Sequence, residues 1–478
     1  MTDPARFPKV GQLKTVEALS RRLEELACSL PVDDRILSAA QSSPLAEPLE
    51  LPFRTAGNRW CIHPMEGWDG ETDGRPSPLT LRRWTHFGQS GAKWIWGGEA
   101  AAVAPDGRAN PRQLLATPRH EAGLRALHDT LVAAHREAFG ETGDLVVGLQ
   151  LTHSGRFCRP HAQDRLEPRI AYHHPQLDAR FGIAPDDVSV VWTDAELHRL
   201  VDHYVAAART AWRAGFDFVD VKSCHGYLLH EFLSARGRRG TFGGDFDGRV
   251  RLLRTMVRRI REAVPEIGVG VRLSVFDCLP ARQTEASQSG GSAPMFGTMD
   301  LRSGEIEWDE PLRLVRQLTD WGVTMLNVSA GSPYYCPHIQ RPAAFPPSDG
   351  YPPPEDPLVG AARLLDAARR CKEASPGLAV VGTGLTYFQD YAAHVAQAVV
   401  RAGWMDAVGI GRMVLSYPRF PADVLAGRPL VRRAICRTFS DCTTAPRQGW
   451  VSGCYPLDRF YKQRPESEWL KRYKQSRS

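Results

Sequence analysis

The sequence predicts a (β/α)₈ TIM barrel, an α/β fold, with an N-terminal extension and a cysteine-containing C-terminal extension. Short apolar runs alternate with longer amphipathic runs along most of the chain. The alternation repeats at roughly 40 residues, and eight units are the number in a closed barrel. An open, doubly wound sheet is disfavoured because no glycine-rich fingerprint follows an early strand.

Eight short apolar runs are predicted to form the barrel strands. They lie near residues 59–64, 93–98, 145–151, 216–222, 268–274, 324–329, 378–382 and 407–411. Runs with helical periodicity follow most of them, at residues 80–89, 120–139, 194–214, 248–264, 310–321, 359–372 and 387–402. Because parallel strands need a crossover connection, this order predicts a helix between successive strands.

The repeat divides the chain into three predicted parts. Residues 1–55 form an N-terminal helical extension, with an amphipathic helix from Val16 to Ala27 that is expected to cover the bottom or side of the barrel. Residues 56–425 form the barrel, and residues 426–478 form the C-terminal extension.

Two loops are unusually long. Residues 283–303, rich in Gly, Ser and Thr, are expected to form a surface loop after the fifth strand. Residues 333–357 follow the sixth strand, and loops after strands line the active face of a barrel. We therefore expect Tyr334, Tyr335 and His338 in this loop to contact substrate.

Composition limits the class of protein. The chain has 478 residues and a net charge of +6, and its arginines are spread along helical faces, which does not indicate a nucleic-acid partner. It has no apolar run of about 18 residues for a membrane span and no apolar signal region at the N-terminus. Ten scattered cysteines fit reduced thiols. We expect a cytoplasmic protein that acts on a small molecule, and the sequence leaves homo-oligomerisation open.

The end of the fourth strand carries the densest set of reactive side chains. An apolar run stops at Lys222, and His225 and Tyr227 follow within the next five residues. A turn in this segment, which Gly226 favours, would bring an ammonium, an imidazole and a phenol together. This pattern is typical of a strand-end active site, although a solvated lysine with a packed histidine and tyrosine would give the same sequence.

Two glycine turns end the last two strands, with the sequences GTG at 382–384 and GIGR at 409–412. Loops after strands seven and eight of such barrels often bind phosphate through backbone N–H groups. Glycine lets the backbone approach the oxygens, and an arginine adds a bidentate donor. The sequence therefore predicts a phosphate site at Gly382, Gly384, Gly411 and Arg412.

Two polar side chains interrupt apolar strands. Arg272 closes the fifth strand, and Gln150 lies inside the third. A buried cation or amide needs a partner, and the edge of a heterocycle would satisfy the donors and acceptor of Gln150. A hydrogen-bond network inside the barrel is an equally open explanation.

Three cysteines of the C-terminal extension are candidate metal ligands, namely Cys436, Cys442 and Cys454. Zinc and iron–sulfur sites with thiolate ligands use four cysteines in paired spacings, and no fourth cysteine lies close by. We therefore expect neither a metal nor an iron–sulfur cluster at these positions.

Several motifs, in a fixed order, resemble the Old Yellow Enzyme family of FMN-dependent NAD(P)H oxidoreductases. The resemblance covers about Asn58 to Leu425. It is carried by NRWCIHPM at 58–65, GEAAAVAPDGR at 98–108, LQLTHSGR at 149–156, HGYLLHEFLSARGRRGTFGGDFDGR at 225–249, GVRLS at 270–274 and AVGIGRMVLSYP at 407–418. It implies a (β/α)₈ barrel with FMN at the carboxyl ends of the strands and NADH or NADPH as the hydride donor.

The resemblance also implies residue roles toward the flavin ring. Pro64, Met65 and Ala100 would line the isoalloxazine, and Gln150 would bond its pyrimidine edge. Arg272 would lie at the N1–O2 end, where a fixed cation favours the reduced flavin.

Further roles concern the phosphate and the substrate. The four residues of the predicted phosphate site would hold the phosphate of FMN. Tyr227 matches the tyrosine that donates a proton to the substrate. His225 matches the second member of the pair that binds the substrate oxygen.

Two positions depart from the family pattern. The first member of the oxygen-binding pair is usually histidine and is Lys222 here, and the residue that contacts flavin O4 is Glu66 in place of threonine or cysteine. A lysine donates to a developing oxyanion as a full charge, so we expect a preference for an anionic or carboxylate-bearing substrate. We also expect Glu66 to pair with Lys222 and hold it in place.

The expected activity is that of an ene-reductase. Hydride from NAD(P)H would pass through flavin N5 to an activated C=C bond, while Lys222 and His225 polarise the conjugated oxygen and Tyr227 acts as the acid. An amine or other substrate dehydrogenase or demethylase would move hydride from substrate to FMN, although a lysine in the site disfavours a cationic amine. A lyase that forms a Schiff base on Lys222 is a further alternative.

Overall fold

The computed structural model describes residues 7–279, 294–348 and 350–476. The predicted loop at 283–303 therefore lies partly outside the described residues. The strands in the described part are β1 (Leu49–Leu51), β2 (Arg54–Ala56), β3 (Trp60–Ile62), β4 (Trp94–Ile95), β5 (Ala100–Ala102), β6 (Val146–Thr152), β7 (Phe218–Val221), β8 (Gly268–Ser274), β9 (Met325–Ser329), β10 (Ala379–Gly382) and β11 (Ala407–Ile410).

Helices surround these strands. Their bounds are α1 (Val16–Glu25), α2 (Pro78–Gly88), α3 (Glu121–Phe139), α4 (Pro175–Phe181), α5 (Asp194–Arg213), α6 (Leu228–Leu233), α7 (Phe246–Ala263), α8 (Asp309–Asp320), α9 (Pro337–Gln340), α10 (Pro357–Ala374), α11 (Ala392–Arg401), α12 (Arg412–Ser416), α13 (Phe420–Leu425), α14 (Asp441–Arg447), α15 (Arg459–Lys462) and α16 (Glu466–Gln475). The seven predicted crossover helices correspond to α2, α3, α5, α7, α8, α10 and α11.

The parallel strands close into the predicted eight-stranded barrel. The order around it is β3, β4, β6, β7, β8, β9, β10 and β11, and β11 pairs with β3 to close the ring. Both β4 and β5 pair with β6, so they form one strand interrupted at 96–99. Gly97 permits this interruption because a Cβ there would lie 2.7 Å from the backbone nitrogen of Gln150. The predicted fold class is confirmed.

Burial explains why these segments form strands and outer helices. Every residue of β6 and β8 is buried, as expected for barrel strands covered on both faces. In α5, apolar residues at helical spacing face the barrel, and the helix begins with a capping box in which Thr193 and Glu196 bond to each other's backbone.

The N-terminal segment covers the bottom of the barrel. Helix α1 is present where the sequence predicts it, and the hairpin β1–β2 follows it. Phe53, in the turn of this hairpin, packs with its ring centroid 6.3 Å from that of Phe218. Gly268 makes room for Phe53, since a Cβ there would lie 2.4 Å from its ring. The hairpin was not predicted, because it lies before the repeat of strands and helices on which the prediction rests.

The C-terminal segment holds the loop that follows β9. Thr438 and Thr444 accept hydrogen bonds from the backbone N–H groups of Ala344 and Ser348, at 3.0 and 3.1 Å. Arg447 donates to the carbonyl of Pro333 at 2.6 Å. The extension thus fixes a loop at the carboxyl end of the barrel, while the predicted domain boundaries remain a prediction. In the part of the chain that the structure describes, no helix is long and apolar enough to cross a membrane.

Candidate active site

A cavity of about 220 Å³ lies at the carboxyl ends of the barrel strands. It brings together most residues that the sequence singled out. Those that line it are Pro64, Met65, Glu66, Ala100, Gln150, Lys222, His225, Tyr227, Arg272, Gly384, Gly411 and Arg412. Side chains of the C-terminal extension, including Cys442, Thr443 and Tyr461, complete one wall.

Buried polar atoms without a protein partner are grouped in this cavity. Among the described residues they include His63 Nε2, Glu66 Oε1, Arg272 Nε and Arg412 Nη1, all from residues that line it. A buried donor or acceptor without a partner costs about 1–3 kcal/mol. Such a set indicates a site shaped for a polar ligand that supplies the missing hydrogen bonds.

The end of β7 turns as the sequence predicts and places three reactive groups in the cavity. His225 and Gly226 both have positive φ, 67° and 77°. The backbone N–H of His225 donates to Ser274 Oγ at 3.1 Å, which joins this turn to β8. The ammonium of Lys222 lies 3.9 Å from the centre of the Tyr227 ring, a cation–π contact.

Burial shifts the pKa values of these groups. It lowers the pKa of Lys222 below its ordinary value, and the Glu66 carboxylate opposes that shift. Burial, with the charges of Arg272 and Lys222, holds the pKa of His225 well below its usual range, so the imidazole is neutral. Its Nε2 lies 2.8 Å from Ser329 Oγ.

Glu66 and Lys222 interact electrostatically, without direct contact between their charged groups. Burial raises the pKa of Glu66 to about 7, and the Lys222 ammonium opposes this. The two side chains, both in the described part of the chain, form no direct salt bridge, so the expected pairing is electrostatic only. The backbone beside Glu66 is held by Glu99, because the N–H of Gly67 donates to Glu99 Oε2 at 3.3 Å. Glu99 is itself held by Arg83, whose Nε donates to Glu99 Oε1 at 2.9 Å.

Behind two of the lining residues lies a carboxylate that the sequence analysis did not single out. Asp220, fully buried in β7, accepts hydrogen bonds from Gln150 Nε2 at 2.6 Å, from Trp96 Nε1 at 2.8 Å and from the backbone N–H of Arg272 at 2.6 Å. Burial raises its pKa to about 6 against these donors. Gln150 therefore belongs to a network inside the barrel, and its amide oxygen has no partner among the described residues. The Arg272 guanidinium lines the cavity.

A second unpredicted residue, His63, lies across the end of β11. Asn327 Nδ2 donates to its Nδ1 at 3.0 Å, so its Nε2 carries the hydrogen. Burial and the nearby Arg272 hold the pKa of His63 well below its usual range. The ring needs glycine at 409, because a Cβ there would lie 2.0 Å from its Cε1. His63 is thus a neutral hydrogen-bond donor whose orientation is set by residues of two strands. Its position inside the NRWCIHPM motif could have indicated that it belongs to the site.

The two glycine turns form one end of the cavity. Gly384 has a φ of 108°, which other residues adopt only with strain. Arg412 donates through Nη2 to the Pro342 carbonyl at 2.7 Å, which leaves Nη1 without a partner. Gly382 does not line the cavity; it packs on Met405, whose Sδ would lie 2.2 Å from a Cβ at 382. Thr383 lines it instead.

The three candidate substrate contacts from the loop after β9 do not line the cavity. Tyr335 donates to Asp277 Oδ2 at 2.5 Å, and His338 Nδ1 lies 2.6 Å from the hydroxyl of Tyr351. Both side chains turn into the protein to satisfy buried partners. The hydroxyl of Tyr334 lies 3.0 Å from that of Tyr227, which does line the cavity.

The three cysteines of the C-terminal extension carry free thiols. Cys436 and Cys454 are buried, and Cys442 is half-buried and lines the cavity. Burial raises the pKa of Cys436, although Arg412 opposes the shift. Among the described residues, no group of three or more His, Cys, Asp and Glu side chains is arranged to hold a metal ion.

Together, the closed barrel and the polar groups at its mouth define a class of protein, a barrel with a cavity suited to a phosphorylated heterocycle. Comparisons with known proteins identify the family. The NADH:flavin oxidoreductase / NADH oxidase family matches residues 47–308, and the chain belongs to this family.

Individual relatives agree with this assignment. A NADH:flavin oxidoreductase from Gibberella zeae is 26% identical over 337 residues, which cover 67% of this chain and 70% of the relative. A 2-naphthoyl-CoA reductase has a TM-score of 0.65 at 17% identity, covering 88% of this chain and 57% of its own. Histamine dehydrogenase from Rhizobium sp. has a TM-score of 0.63 at 19% identity, covering 88% and 53%. The two structures show a shared fold, and this chain spans little more than half of each.

The residues present fit FMN. The glycine turns and the unpartnered Arg412 Nη1 suit a phosphate group. The amide oxygen of Gln150, the Nε2–H of His63 and the Arg272 guanidinium offer an acceptor and donors to the edge of a heterocycle.

Proposed function

We propose that this oxidoreductase is of the ene-reductase type and reduces an activated C=C bond of a small molecule. When bound, FMN supplies hydride transfer from NADH or NADPH to the substrate. The observation that carries the proposal is that Lys222, His225 and Tyr227 line the same cavity as the residues whose buried polar atoms lack a protein partner.

The proposed cofactor contacts follow from the lining of the cavity. Pro64, Met65 and Ala100 would contact the ring, and Gln150 and Arg272 would bond its polar edge. Of the predicted phosphate contacts, Gly384, Gly411 and Arg412 line the cavity, whereas Gly382 does not.

Two donors of different charge would hold the substrate oxygen. Lys222 offers a cation, and His225 offers a neutral imidazole bonded to Ser329. Charge that develops on the oxygen as the C=C bond is reduced would be stabilised by both, and one such donor typically contributes about 3–4 kcal/mol. A carboxylate as the activating group suits Lys222 better than a neutral carbonyl, because the ammonium has no salt-bridge partner among the described residues.

Tyr227 would protonate the α-carbon. Burial raises its pKa well above the ordinary value, so the phenol keeps its proton across the physiological range. Lys222 over its ring stabilises the negative charge that remains on Tyr227 after transfer.

A pH profile tests the proposed link between Glu66 and Lys222. Glu66→Gln removes a charge that favours the protonated amine, so Lys222 should lose its proton at lower pH. Below about pH 7 Glu66 is itself largely protonated, and the two proteins should react alike. Above it, we expect the rate of substrate reduction in the variant to decline at lower pH than in the wild type. Superimposable profiles would contradict the link; Glu24→Gln, on the exposed face of α1, is the control.

Substrate oxidation is the second candidate, because histamine dehydrogenase shares the fold. Lys222 and Arg272 both face the cavity and would repel a cationic amine, although Glu66 offers one acidic partner. A Schiff base on Lys222 remains a lesser alternative, which the lowered pKa of the amine would assist.

Anaerobic mixing separates these functions. The FMN-loaded protein, reduced with NADPH, should regain its yellow absorbance with an α,β-unsaturated carboxylate or ketone, and the carboxylate should react faster. Bleaching of the oxidised protein by an amine without NADPH, together with no reaction of the alkenes, would favour the dehydrogenase. Borohydride trapping of a carbonyl compound on Lys222 would favour the lyase.

A further inference from the structure

Tyr227 and Tyr334 form a hydrogen-bonded pair of phenols, of which Tyr227 lines the cavity. Their oxygens lie 3.0 Å apart, and either can be the donor. Tyr227 is 5% exposed, whereas Tyr334 is half-buried, so Tyr334 is the member of the pair with more solvent contact. We infer that Tyr334 is a proton relay that restores the proton Tyr227 gives to the substrate, an inference that rests on the proposed role of Tyr227.

The surroundings of the two phenols set the direction of proton transfer. Burial, with the adjacent Tyr334, raises the pKa of Tyr227 well above its ordinary value. Burial also raises the pKa of Tyr334, to about 12, but the hydrogen bond from Tyr227 and the charges of Arg159 and Arg447 oppose it. A phenolate at Tyr227 would therefore take a proton from Tyr334.

The relay balances as three proton transfers beside one hydride transfer, in which the hydride comes from NADH or NADPH through bound FMN. The β-carbon of the substrate receives hydride, and the O–H bond of Tyr227 breaks as its proton forms the new C–H bond at the α-carbon. The O–H bond of Tyr334 then breaks, and its proton forms the new O–H bond of Tyr227. Water returns a proton to Tyr334, and the hydroxide that remains is neutralised by a proton from the bulk solution. Both phenols end unchanged, and the substrate has gained one hydride and one proton.

The packing of Tyr334 holds it in the position that a relay needs. Its ring stacks on Phe157 with centroids 3.8 Å apart and planes at 12°. Its backbone N–H donates to Ser332 Oγ at 3.2 Å, and Arg447 donates to the carbonyl of Pro333 at 2.6 Å. Phenylalanine at this position would keep the stack and lose only the hydroxyl, which makes the role testable.

Kinetics of the FMN-loaded Tyr334→Phe variant give the first test. We expect reoxidation by substrate to slow about tenfold, the equivalent of one lost hydrogen bond, with a larger solvent deuterium isotope effect. Flavin reduction by NADPH should not change. Tyr391→Phe is the matched control, since it removes a phenol hydroxyl that donates to the Leu13 carbonyl outside the cavity.

Fluorine NMR gives a readout that does not depend on activity. Difluorotyrosine in place of Tyr334 keeps the hydroxyl, and its ionisation midpoint reports the state of the relay. Because the Tyr227 hydrogen bond lowers the pKa of Tyr334, Tyr227→Phe should raise this midpoint.

The outcomes separate the relay from the proposed function. If Tyr227→Phe slows substrate reduction and Tyr334→Phe does not, the relay is wrong and the role of Tyr227 stands. If Tyr227→Phe has no effect, the acid role fails and the relay fails with it. If Tyr334→Phe slows the reaction with an unchanged isotope effect, and Tyr227→Phe leaves the ionisation midpoint of difluorotyrosine at 334 unchanged, Tyr334 is only structural and the relay is wrong.

Discussion

Arg412→Ala is expected to weaken FMN binding on the order of 100-fold, because a charge-assisted hydrogen bond to phosphate contributes about 1.5–3 kcal/mol. The side chain lines the cavity and is anchored through Nη2 to Pro342, and its buried Nη1 has no protein partner. The loss should show in the dissociation constant for FMN, measured by quenching of flavin fluorescence. The substitution also removes a buried, partly unsatisfied cation, so folding stability should not fall in proportion.

Riboflavin separates the phosphate contact from the ring contacts. It lacks the phosphate, so its affinity should be nearly the same in the wild type and in Arg412→Ala. Arg433→Ala, at an exposed position of the C-terminal extension, should leave both affinities unchanged. Equal losses for FMN and riboflavin in Arg412→Ala would show that Arg412 supports the cavity without binding phosphate.

Tyr227→Phe is expected to slow substrate reduction on the order of 100-fold or more, the usual contribution of a positioned acid. Flavin reduction by NADPH should be unaffected, because the phenol acts only on the substrate. The variant keeps the ring beneath the Lys222 ammonium, 3.9 Å from its centroid in the wild type, so the lysine should stay in place. Stopped-flow measurement of the two half-reactions checks both statements.

The half-reactions also reveal a purely structural effect. Equal losses in flavin reduction and in substrate reduction would contradict the acid role of Tyr227. Burial raises the pKa of Tyr227 well above 10, the ordinary value for tyrosine. The wild-type rate should therefore show no decline near pH 10 that comes from ionisation of Tyr227.

The alternation of apolar runs with amphipathic runs was enough to predict the barrel, because even the short strands β3 and β4 lie within longer apolar segments of the sequence. All eight predicted strands are present, and β8 has the predicted bounds, 268–274. The hairpin β1–β2 and the continuation of β4 as β5 were missed, because neither follows the repeat of one strand and one helix.

The candidate site was predicted where chemistry is concentrated in sequence, as at Lys222, His225 and Tyr227. The predicted site was incomplete where contacts with residues of other strands and loops determine which side chains face the cavity. Asp220 lies in an apolar strand, and a carboxylate there was a usable signal that a partner must exist. The direction of Tyr335 could not be predicted, since it is set by a hydrogen bond to Asp277 on another loop.

The central claim is that FMN lies in this cavity, with its phosphate at the glycine turns and its ring facing Lys222, His225 and Tyr227. A crystal structure of the protein with FMN tests it most directly. The account predicts the phosphate within hydrogen-bond distance of Arg412 and the polar ring edge against Gln150 and Arg272. A phosphate bound elsewhere, or a ring outside the mouth of the barrel, would contradict it.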